Sequence, residues 1–399
     1  MANPNSSWQK ISAPIIFALS IIAAYCLSSL EGGRVTAFAF IIGFCFGFVM
    51  KKSRFCFYCH IRDYIEHKNC DGVLALIIAL AVGSIGYTIV MASWIPNPTP
   101  NNIPPDIHVG PVSEILFLAG VIFGIGMVLS RSCISAHWYH LSEGAFSSLF
   151  ALLGVAFGFF LAFNAWNPLY SIRIAYTPII WLPARLGYAG ALALQILLLG
   201  AAAALVWRFS DKKPPENRVE EPPANFSDLY NHFFAQKWHY YTGAIIIGIL
   251  GFLLIIWTKP LGVTASIASW VRAFGSAYAL IPSRLDGLDG FAGCGSLPSN
   301  FWLNTDNLLL LGLILGSFSA SLGADGFKAR LPRARWAALN FIGGVLLGFG
   351  AMLSLGCTIG TLLSGIHAGA LSGWIFALGI LFSIWGSLRI KRAVFLKGK

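Results

Sequence analysis

One pattern occurs twice in this chain. It reads Gly120-Val-Ile-Phe-Gly-Ile-Gly-Met-Val-Leu-Ser-Arg-Ser-Cys133 and, 224 residues later, Gly344-Val-Leu-Leu-Gly-Phe-Gly-Ala-Met-Leu-Ser-Leu-Gly-Cys357. Gly, Val, Gly, Gly, Leu, Ser and Cys coincide without a gap, and each copy continues from an apolar run. In a membrane protein, a glycine-rich helix that ends in a cysteine and is built twice is typical of the path through the bilayer.

The composition predicts an all-α polytopic protein embedded in a lipid bilayer. Hydrophobic residues make up 57% of the 399 residues and charged residues 11%, with a mean hydropathy of +0.72. These values exclude a soluble domain of this length, which could not cover its surface with so few charges. About 9–11 transmembrane helices of the length that ~30 Å of hydrocarbon requires are expected, some of them broken or re-entrant. The apolar runs lie at 11–30, 73–95, 112–130, 145–165, 187–207, 241–258, 307–324, 337–355 and 368–388, with a shorter run at 35–50 and a weakly apolar one at 262–280.

The distribution of basic residues predicts the orientation. Lys and Arg exceed Asp and Glu by 27 to 16, and they collect in loops, which is typical of cytoplasmic segments and does not call for nucleic acid as a partner. Residues 51–68 and 325–336 should face the cytoplasm of a bacterial inner membrane, whereas 96–111, with no Lys or Arg, should face outward. The first apolar run lacks a cleavage site and is expected to stay as a helix. With the orientation given by the basic loops, both termini are predicted to be cytoplasmic.

These loops divide the chain and relate its halves. Residues 1–207 are predicted to form a first transmembrane repeat and 241–399 a second, joined by a Pro-rich cytoplasmic linker at 208–240. The helix before Cys133 starts from an outer loop, and the helix before Cys357 starts from an inner loop. The same pattern therefore approaches the bilayer centre from opposite sides, which predicts two inverted-topology repeats.

The segment around Cys357 is the first candidate binding site. Glycines flank the cysteine at Gly356 and Gly360, and no Asp, Glu, Lys or Arg occurs between Trp336 and Ser387. A half-helix starting at the thiol would direct its positive dipole end to the membrane centre, where a polarizable thiol suits a soft anion. Alternatively, the small residues only pack helices together and the cysteine fills space.

Cys133 has a similar setting with a cation beside it. Arg131 is expected within or near the membrane, where an arginine is costly and usually faces a cavity or an anion. The alternative is that Arg131 extends to the interface or pairs with Glu143.

Two further cysteine segments are ambiguous. Cys56-Phe-Tyr-Cys59-His60 has the spacing of covalent haem attachment, of a redox pair or of half a zinc site. The preferred interpretation is a short helix that returns into the bilayer. Arg62 and Asp63 are expected to pair locally. Cys294 lies in a Gly-rich turn and is either part of an outer gate or an incidental thiol. No cofactor, metal or catalytic residue is predicted.

At these residues the chain resembles the YeeE/YedE family of bacterial inner-membrane transporters of sulfur compounds, whose characterised members take up thiosulfate. The resemblance covers most of 35–388 and is carried by Gly43–Asp63, Gly120–Gly144 and Gly343–Gly360, with Lys237-Trp238-His239 at the start of the second half.

The resemblance implies helices that enter from both faces and cysteines at their tips that pass thiosulfate along by S–H···S contacts. Carried over by motif, these are Cys56, Cys133 and Cys357, with Cys294 as an addition. The family usually has Gly-Gly-Cys-x-x-Gly at the first of the repeated cysteines, and here Arg131, Ser132 and Ala136 depart from it. The resemblance also implies a small cytoplasmic sulfur-carrier protein as a partner.

The sequence thus predicts a transporter and no enzyme: uptake of a small sulfur-containing anion, most simply thiosulfate. The alternatives are a membrane-embedded thiol oxidoreductase or sulfurtransferase that uses Cys56 and Cys59, and a permease for a selenium species or another soft solute.

Overall fold

The chain is an all-α, multi-pass membrane protein. A computed structural model describes residues 5–100, 102–104, 107–211, 230–288 and 303–397. In this part of the chain, ten helices are long and apolar enough to cross a membrane. Between them, the described residues also form three shorter α-helices, a 3-10 helix at Ile174–Tyr176, π-helices at Asn231–Ala235 and Thr358–Ser364, and a single α-helical turn at Gly365–His367. The α-helices are α1 Asn5–Ser28, α2 Gly33–Ser53, α3 Phe57–His67, α4 Asp71–Trp94, α5 Glu114–Ser130, α6 Ile134–Leu141, α7 Ser147–Ile172, α8 Pro183–Arg208, α9 Tyr240–Trp257, α10 Ala265–Ala277, α11 Thr305–Gly323, α12 Ala334–Leu353 and α13 Leu371–Lys397.

Two of the predicted spans need correction. The run at 35–50 is the interior of α2, a full-length helix of 21 residues that continues through Lys51 and Lys52. The weakly apolar run at 262–280 is α10, which has only 13 residues. At 1.5 Å per residue α10 is about 20 Å long, too short to cross the hydrocarbon.

The helices pack in pairs that mirror each other. Helix α2 packs on α11 as α9 packs on α4, and α7 packs on α12 as α13 packs on α5. The peripheral helices follow the same rule, because α1 lies against α11 and α8 against α4. The symmetry that relates these pairs exchanges α5 with α12 and α2 with α9, so the α5–α12 contact and the α2–α9 contact each map onto themselves. This is the packing that an inverted repeat produces, with the axis between these two pairs.

Close helix approach depends on the glycines of the repeated pattern. An added Cβ at Gly344 would lie 2.0 Å from the carbonyl oxygen of Ala151, and one at Gly348 would lie 2.1 Å from that of Val155. The backbones of α12 and α7 therefore touch, which is the way helices associate in lipid. For these glycines, packing is the role that the structure supports.

The basic loops meet on one face of the molecule, here called the basic face. Lys51 at the end of α2 forms an ion pair with Glu143, and the backbone of 143–146 pairs with Lys328 and Arg330. Lys52 donates to the carbonyl of Phe234, which brings the end of the linker to the same place. On the opposite face, Val112 bonds to Pro178 and Leu182 to Gly369.

Candidate functional site

Three helices break in the same way, and a cysteine follows each break. After α2, α5 and α12 the chain turns through a left-handed residue, Arg54 (φ 53°), Arg131 (φ 63°) or Leu355 (φ 59°), and three residues later a new helix starts. Cys56, Cys133 and Cys357 are the N-cap residues, directly before the first residue of α3, of α6 and of the π-helix Thr358–Ser364. A left-handed backbone is unfavourable for residues other than glycine, so surrounding contacts must hold these three turns.

A serine three residues before each cysteine stabilises the break. The hydroxyls of Ser53, Ser130 and Ser354 each donate to the carbonyl four residues earlier, at 2.7, 2.9 and 2.8 Å. Ser130 and Ser354 also donate to the carbonyl two residues ahead, at 3.1 and 2.8 Å. The Ser-x-x-Cys pattern at 53–56 was missed as a third copy, and it is visible in the sequence once the two long copies are aligned on it.

The first two thiols form a pair. The sulfur of Cys56 lies 4.0 Å from that of Cys133 and 3.9 Å from the hydroxyl of Ser132. Cys133 in turn lies 3.2 Å from the hydroxyl of Ser135. Both thiols are completely buried in the main hydrophobic core. The half-helices α3 and α6 therefore meet tip to tip.

The side chain next to Cys357 carries a hydroxyl, whereas the side chain next to Cys133 carries a thiol. The sulfur of Cys357 lies beside the side chain of Thr264, the N-cap residue directly before α10. Because α10 mirrors α3 in its packing, Thr264 occupies the place that Cys56 has in the other half. The repeated Ser-x-x-Cys pattern does not reveal Thr264, because this segment has a threonine in place of the cysteine and no serine three residues before it.

The thiols share one environment at the start of a helix. The sulfur of Cys56 faces the backbone N–H of Cys59, that of Cys133 faces Ala136, and that of Cys357 faces Ile359 and Gly360. None of the three side chains forms a regular capping hydrogen bond. The first-turn N–H groups and the positive end of each helix dipole are thus directed at the thiols, where they favour negative charge. Helix α6 also packs against the π-helix, so the two tips of the repeated pattern are neighbours.

Helix lengths give the depth of these tips. Helix α6 has eight residues, or about 12 Å, between Cys133 and the basic face. The segment from Cys357 to Gly369 returns to the opposite face over a similar distance. The Cys56–Cys133 pair therefore lies nearer the basic face, and Cys357 with Thr264 lies nearer the opposite face.

His108 closes the site from the opposite face and was not predicted. An added Cβ at Gly360 would lie 3.2 Å from its ring, and one at Gly262 would lie 3.7 Å from its Nε2. Burial, with the charge of Lys259 nearby, lowers the pKa of His108 to about 4, so the ring is neutral near pH 7. The available signal was a lone histidine in a loop without Lys or Arg.

The two predicted glycines have structural reasons to be glycine. A Cβ at Gly356 would lie 2.4 Å from the hydroxyl of Thr361, which is held in place by donating to the carbonyl of Ser354 at 2.8 Å. Gly360 leaves room for His108. Beside Cys357, the hydroxyl of Thr358 is buried and has no hydrogen-bond partner in the described part of the chain.

Arg131 does not pair with Glu143, so that part of the alternative is wrong, whereas its exposed side chain agrees with the other part, extension toward the interface. Its guanidinium stacks over the ring of Trp336, 3.9 Å from the centroid, on the basic-face side of Cys133. Glu143 instead binds Lys51 and His140. Arg62 and Asp63 do pair locally, at 2.7 Å, as expected. Cys294 lies outside the described residues.

Comparison with known proteins identifies the chain. The family model described as sulphur transport matches residues 52–386, which is most of the sequence. The chain belongs to the sulphur-transport family. It is 27% identical over 349 residues to the thiosulfate transporter TsuA of Escherichia coli (strain K12), covering 87% of this chain and 91% of that protein.

The thiosulfate transporter TsuA of Spirochaeta thermophila is also 27% identical, over 376 residues that cover 86% of this chain and 96% of the relative. A probable transporter of Escherichia coli (strain K12), YedE, is 36% identical over 85 residues, 21% of each chain. The family and these relatives make the chain a transporter of sulfur compounds and not an enzyme, as predicted.

Proposed function

We propose that this protein takes up a small sulfur-containing anion, most simply thiosulfate, across the bacterial inner membrane along a path lined by Cys357, Cys133 and Cys56. The observation that carries the proposal is the convergence of three buried thiols at the starts of half-helices from both halves. The similarity to two thiosulfate transporters over most of the chain supports the substrate.

The chemistry of the tips suits an anion that is hard at one end and soft at the other. The sulfonate oxygens of thiosulfate can accept hydrogen bonds from first-turn N–H groups and from the unpartnered hydroxyl of Thr358. Its terminal sulfur can accept weak S–H donation from a thiol. In the described part of the chain the partners of these thiols are thiols, hydroxyls and backbone N–H groups and not carboxylates, which suits an anion.

The path has an order. In the proposed orientation the anion passes His108, reaches Cys357 and Thr264, moves to Cys133 and Cys56, and leaves at the basic face. All three thiols are completely buried, so each transfer requires the half-helices to shift apart briefly. Passage is then driven by a coupled ion or by trapping of the product. A small cytoplasmic sulfur-carrier protein docked on the basic face would supply that trapping.

Uptake of labelled thiosulfate by cells that lack other sulfur-uptake routes tests the function. We expect Cys357→Ala and Cys133→Ala to lower the initial rate on the order of tenfold, which corresponds to about 1.4 kcal/mol. Cys26→Ala is the matched control, because Cys26 is an exposed thiol on α1 away from the site. Unchanged uptake in both site variants at equal expression would reject the thiol path.

Competition experiments separate the candidate substrates. If thiosulfate is the substrate, excess thiosulfate suppresses uptake more strongly than sulfate or selenite does at the same concentration. A stronger effect of selenite would instead favour a selenium species. In both cases the Cys26→Ala variant should behave as the wild type.

A further inference from the structure

A basic cavity opens on the basic face beside the Cys56–Cys133 pair. Its volume is about 460 Å³, and its walls come from the break after α5, from α6 and from the loop before α12. Arg131, Arg330 and Arg333 contribute its charge, and Ser132, His137 and Trp336 are the other lining residues that matter here. Because liquid water takes about 30 Å³ per molecule, a hydrated anion fits without close shape matching.

The arginines of this cavity are not neutralised within the described part of the chain. None of the ion pairs formed by the described residues includes Arg131, Arg330 or Arg333. Glu143, the acid in the adjacent turn, is already bound to Lys51 and His140. Three guanidinium groups around one concave space, with no acidic partner among the described residues, attract a multiply charged anion.

Arg131 is held in position for this role. Its backbone is left-handed and its guanidinium lies 3.9 Å from the centroid of the Trp336 ring. Stacking fixes the plane of the guanidinium and leaves the N–H groups at its edge available for an oxyanion. Less side-chain entropy is then lost when the anion binds.

Two further groups connect the cavity to the thiols. His137 is 98% buried and bonds through Nδ1 to Ser148 at 3.2 Å, while its Nε2 has no partner among the described residues. Ser132 lines the cavity and places its hydroxyl 3.9 Å from the sulfur of Cys56. One residue therefore separates the cavity from the paired thiols.

We propose that this cavity is a second anion site, which binds a divalent oxyanion of sulfur through Arg131, Arg330 and Arg333 without using a thiol. It deepens the proposed function and rests on it for its role, which is to receive the transported anion from Cys56 and Cys133 before release. Since the site recognises charge and oxygen rather than soft sulfur, it binds sulfate as well as thiosulfate. The affinity for both anions falls as the salt concentration rises.

Equilibrium binding of radiolabelled sulfate to the purified protein in lipid nanodiscs tests this proposal. Arg131→Gln combined with Arg333→Gln should weaken sulfate binding at least tenfold. Arg335→Gln is the matched control, because Arg335 lies in the first turn of α12, two residues after Arg333, but does not line the cavity. A variant with Cys56→Ala, Cys133→Ala and Cys357→Ala should bind sulfate as the wild type does.

The remaining outcomes overturn the proposal. Sulfate binding that survives the double Gln variant, or that is lost in the triple Ala variant, places the anion elsewhere, and absence of binding to the wild type removes the site. Arg131→Lys with Arg333→Lys guards against misfolding, because it should restore binding at low salt. Normal uptake by the triple Ala variant would reject the thiol path while leaving this binding result intact, so the two failures are distinguishable.

Discussion

Replacing Gly348 by alanine should separate α12 from α7 and destabilise the protein. The new Cβ would lie 2.1 Å from the carbonyl oxygen of Val155, 2.9 Å from its carbonyl carbon and 3.0 Å from its Cα. Ordinary contacts of a Cβ lie at 3.4–4 Å. The obstacle is backbone, which cannot rotate away, so the two helices must move apart by about 1 Å or more.

Overpacking of this kind costs about 1–3 kcal/mol or more. The effect should appear as a fall in the melting temperature of the purified protein by a few degrees or more, measured by fluorescence-detected size-exclusion chromatography after heating. Gly200→Ala is the matched control, because nothing lies within 4 Å of a Cβ there. In the middle of α8 that change should be neutral or stabilising by about 0.5–1 kcal/mol.

The other copy of the pattern gives a graded comparison. At Gly124, the position equivalent to Gly348, the added Cβ would lie 1.9 Å from the hydroxyl of Ser383, and the nearest backbone atom is 3.0 Å away. A serine side chain can rotate, so Gly124→Ala should cost less than Gly348→Ala. If Gly348→Ala melts with the wild type, or if Gly124→Ala is the more damaging change, the explanation of these glycines by backbone contact is refuted.

Three further results are expected. A mild oxidant should join Cys56 to Cys133 and stop uptake until a reductant is added, because the two sulfurs are 4.0 Å apart and need to approach by only about 2 Å to reach bond length. Glu143→Gln should lower the free energy of unfolding by about 1–2 kcal/mol at pH 7. Burial raises the pKa of Glu143, but His140 and Lys51 outweigh it and bring the pKa down to about 2. The carboxylate therefore stabilises the fold above about pH 4.5, and that contribution is lost as the pH falls toward 2. His108 is buried as the neutral ring with a pKa of about 4, so stability should fall as the pH drops from about 6.5 to 4, by on the order of 3 kcal/mol, and His108→Gln should flatten that slope in thermal melts.

Each of these expectations has a control or a contradicting result. Cys133→Ala should itself lower uptake on the order of tenfold, and the uptake that remains must be insensitive to the oxidant; inhibition of that remaining uptake would point to another thiol. An unchanged melting temperature for Glu143→Gln would mean that the ion pair with Lys51 adds no net stability. An unaltered acid slope in His108→Gln would mean that other groups cause the acid sensitivity.

The large features of the fold were predictable because they depend on properties that sequence displays directly. Apolar runs of 18 or more residues must cross lipid as helices, and nine such runs were recognised. The repeated glycines marked α5 and α12, and the basic loops meet on one face. The shorter run at 35–50 was underestimated because Lys51 and Lys52 interrupt its apolar character while the helix continues through them.

The site was only partly predictable, because its geometry depends on local backbone states that the sequence does not favour. A helix end in the left-handed conformation normally uses glycine, yet Arg54, Arg131 and Leu355 occupy those positions. His108 reaches Gly360 from a distant loop, a contact that no local pattern encodes.

The mirrored pairs differ in a way that fits the two sides of a membrane. Cys56 faces Cys133 near the basic face, whereas Thr264 faces Cys357 near the opposite face. In the proposed orientation the opposite face borders an oxidising compartment, where two neighbouring thiols would close into a disulfide and block the path. A hydroxyl next to Cys357 cannot do so and still donates a hydrogen bond to an anion. In the same proposed orientation the pair of thiols lies toward the reducing cytoplasm, where both would remain free to contact the terminal sulfur of the proposed substrate.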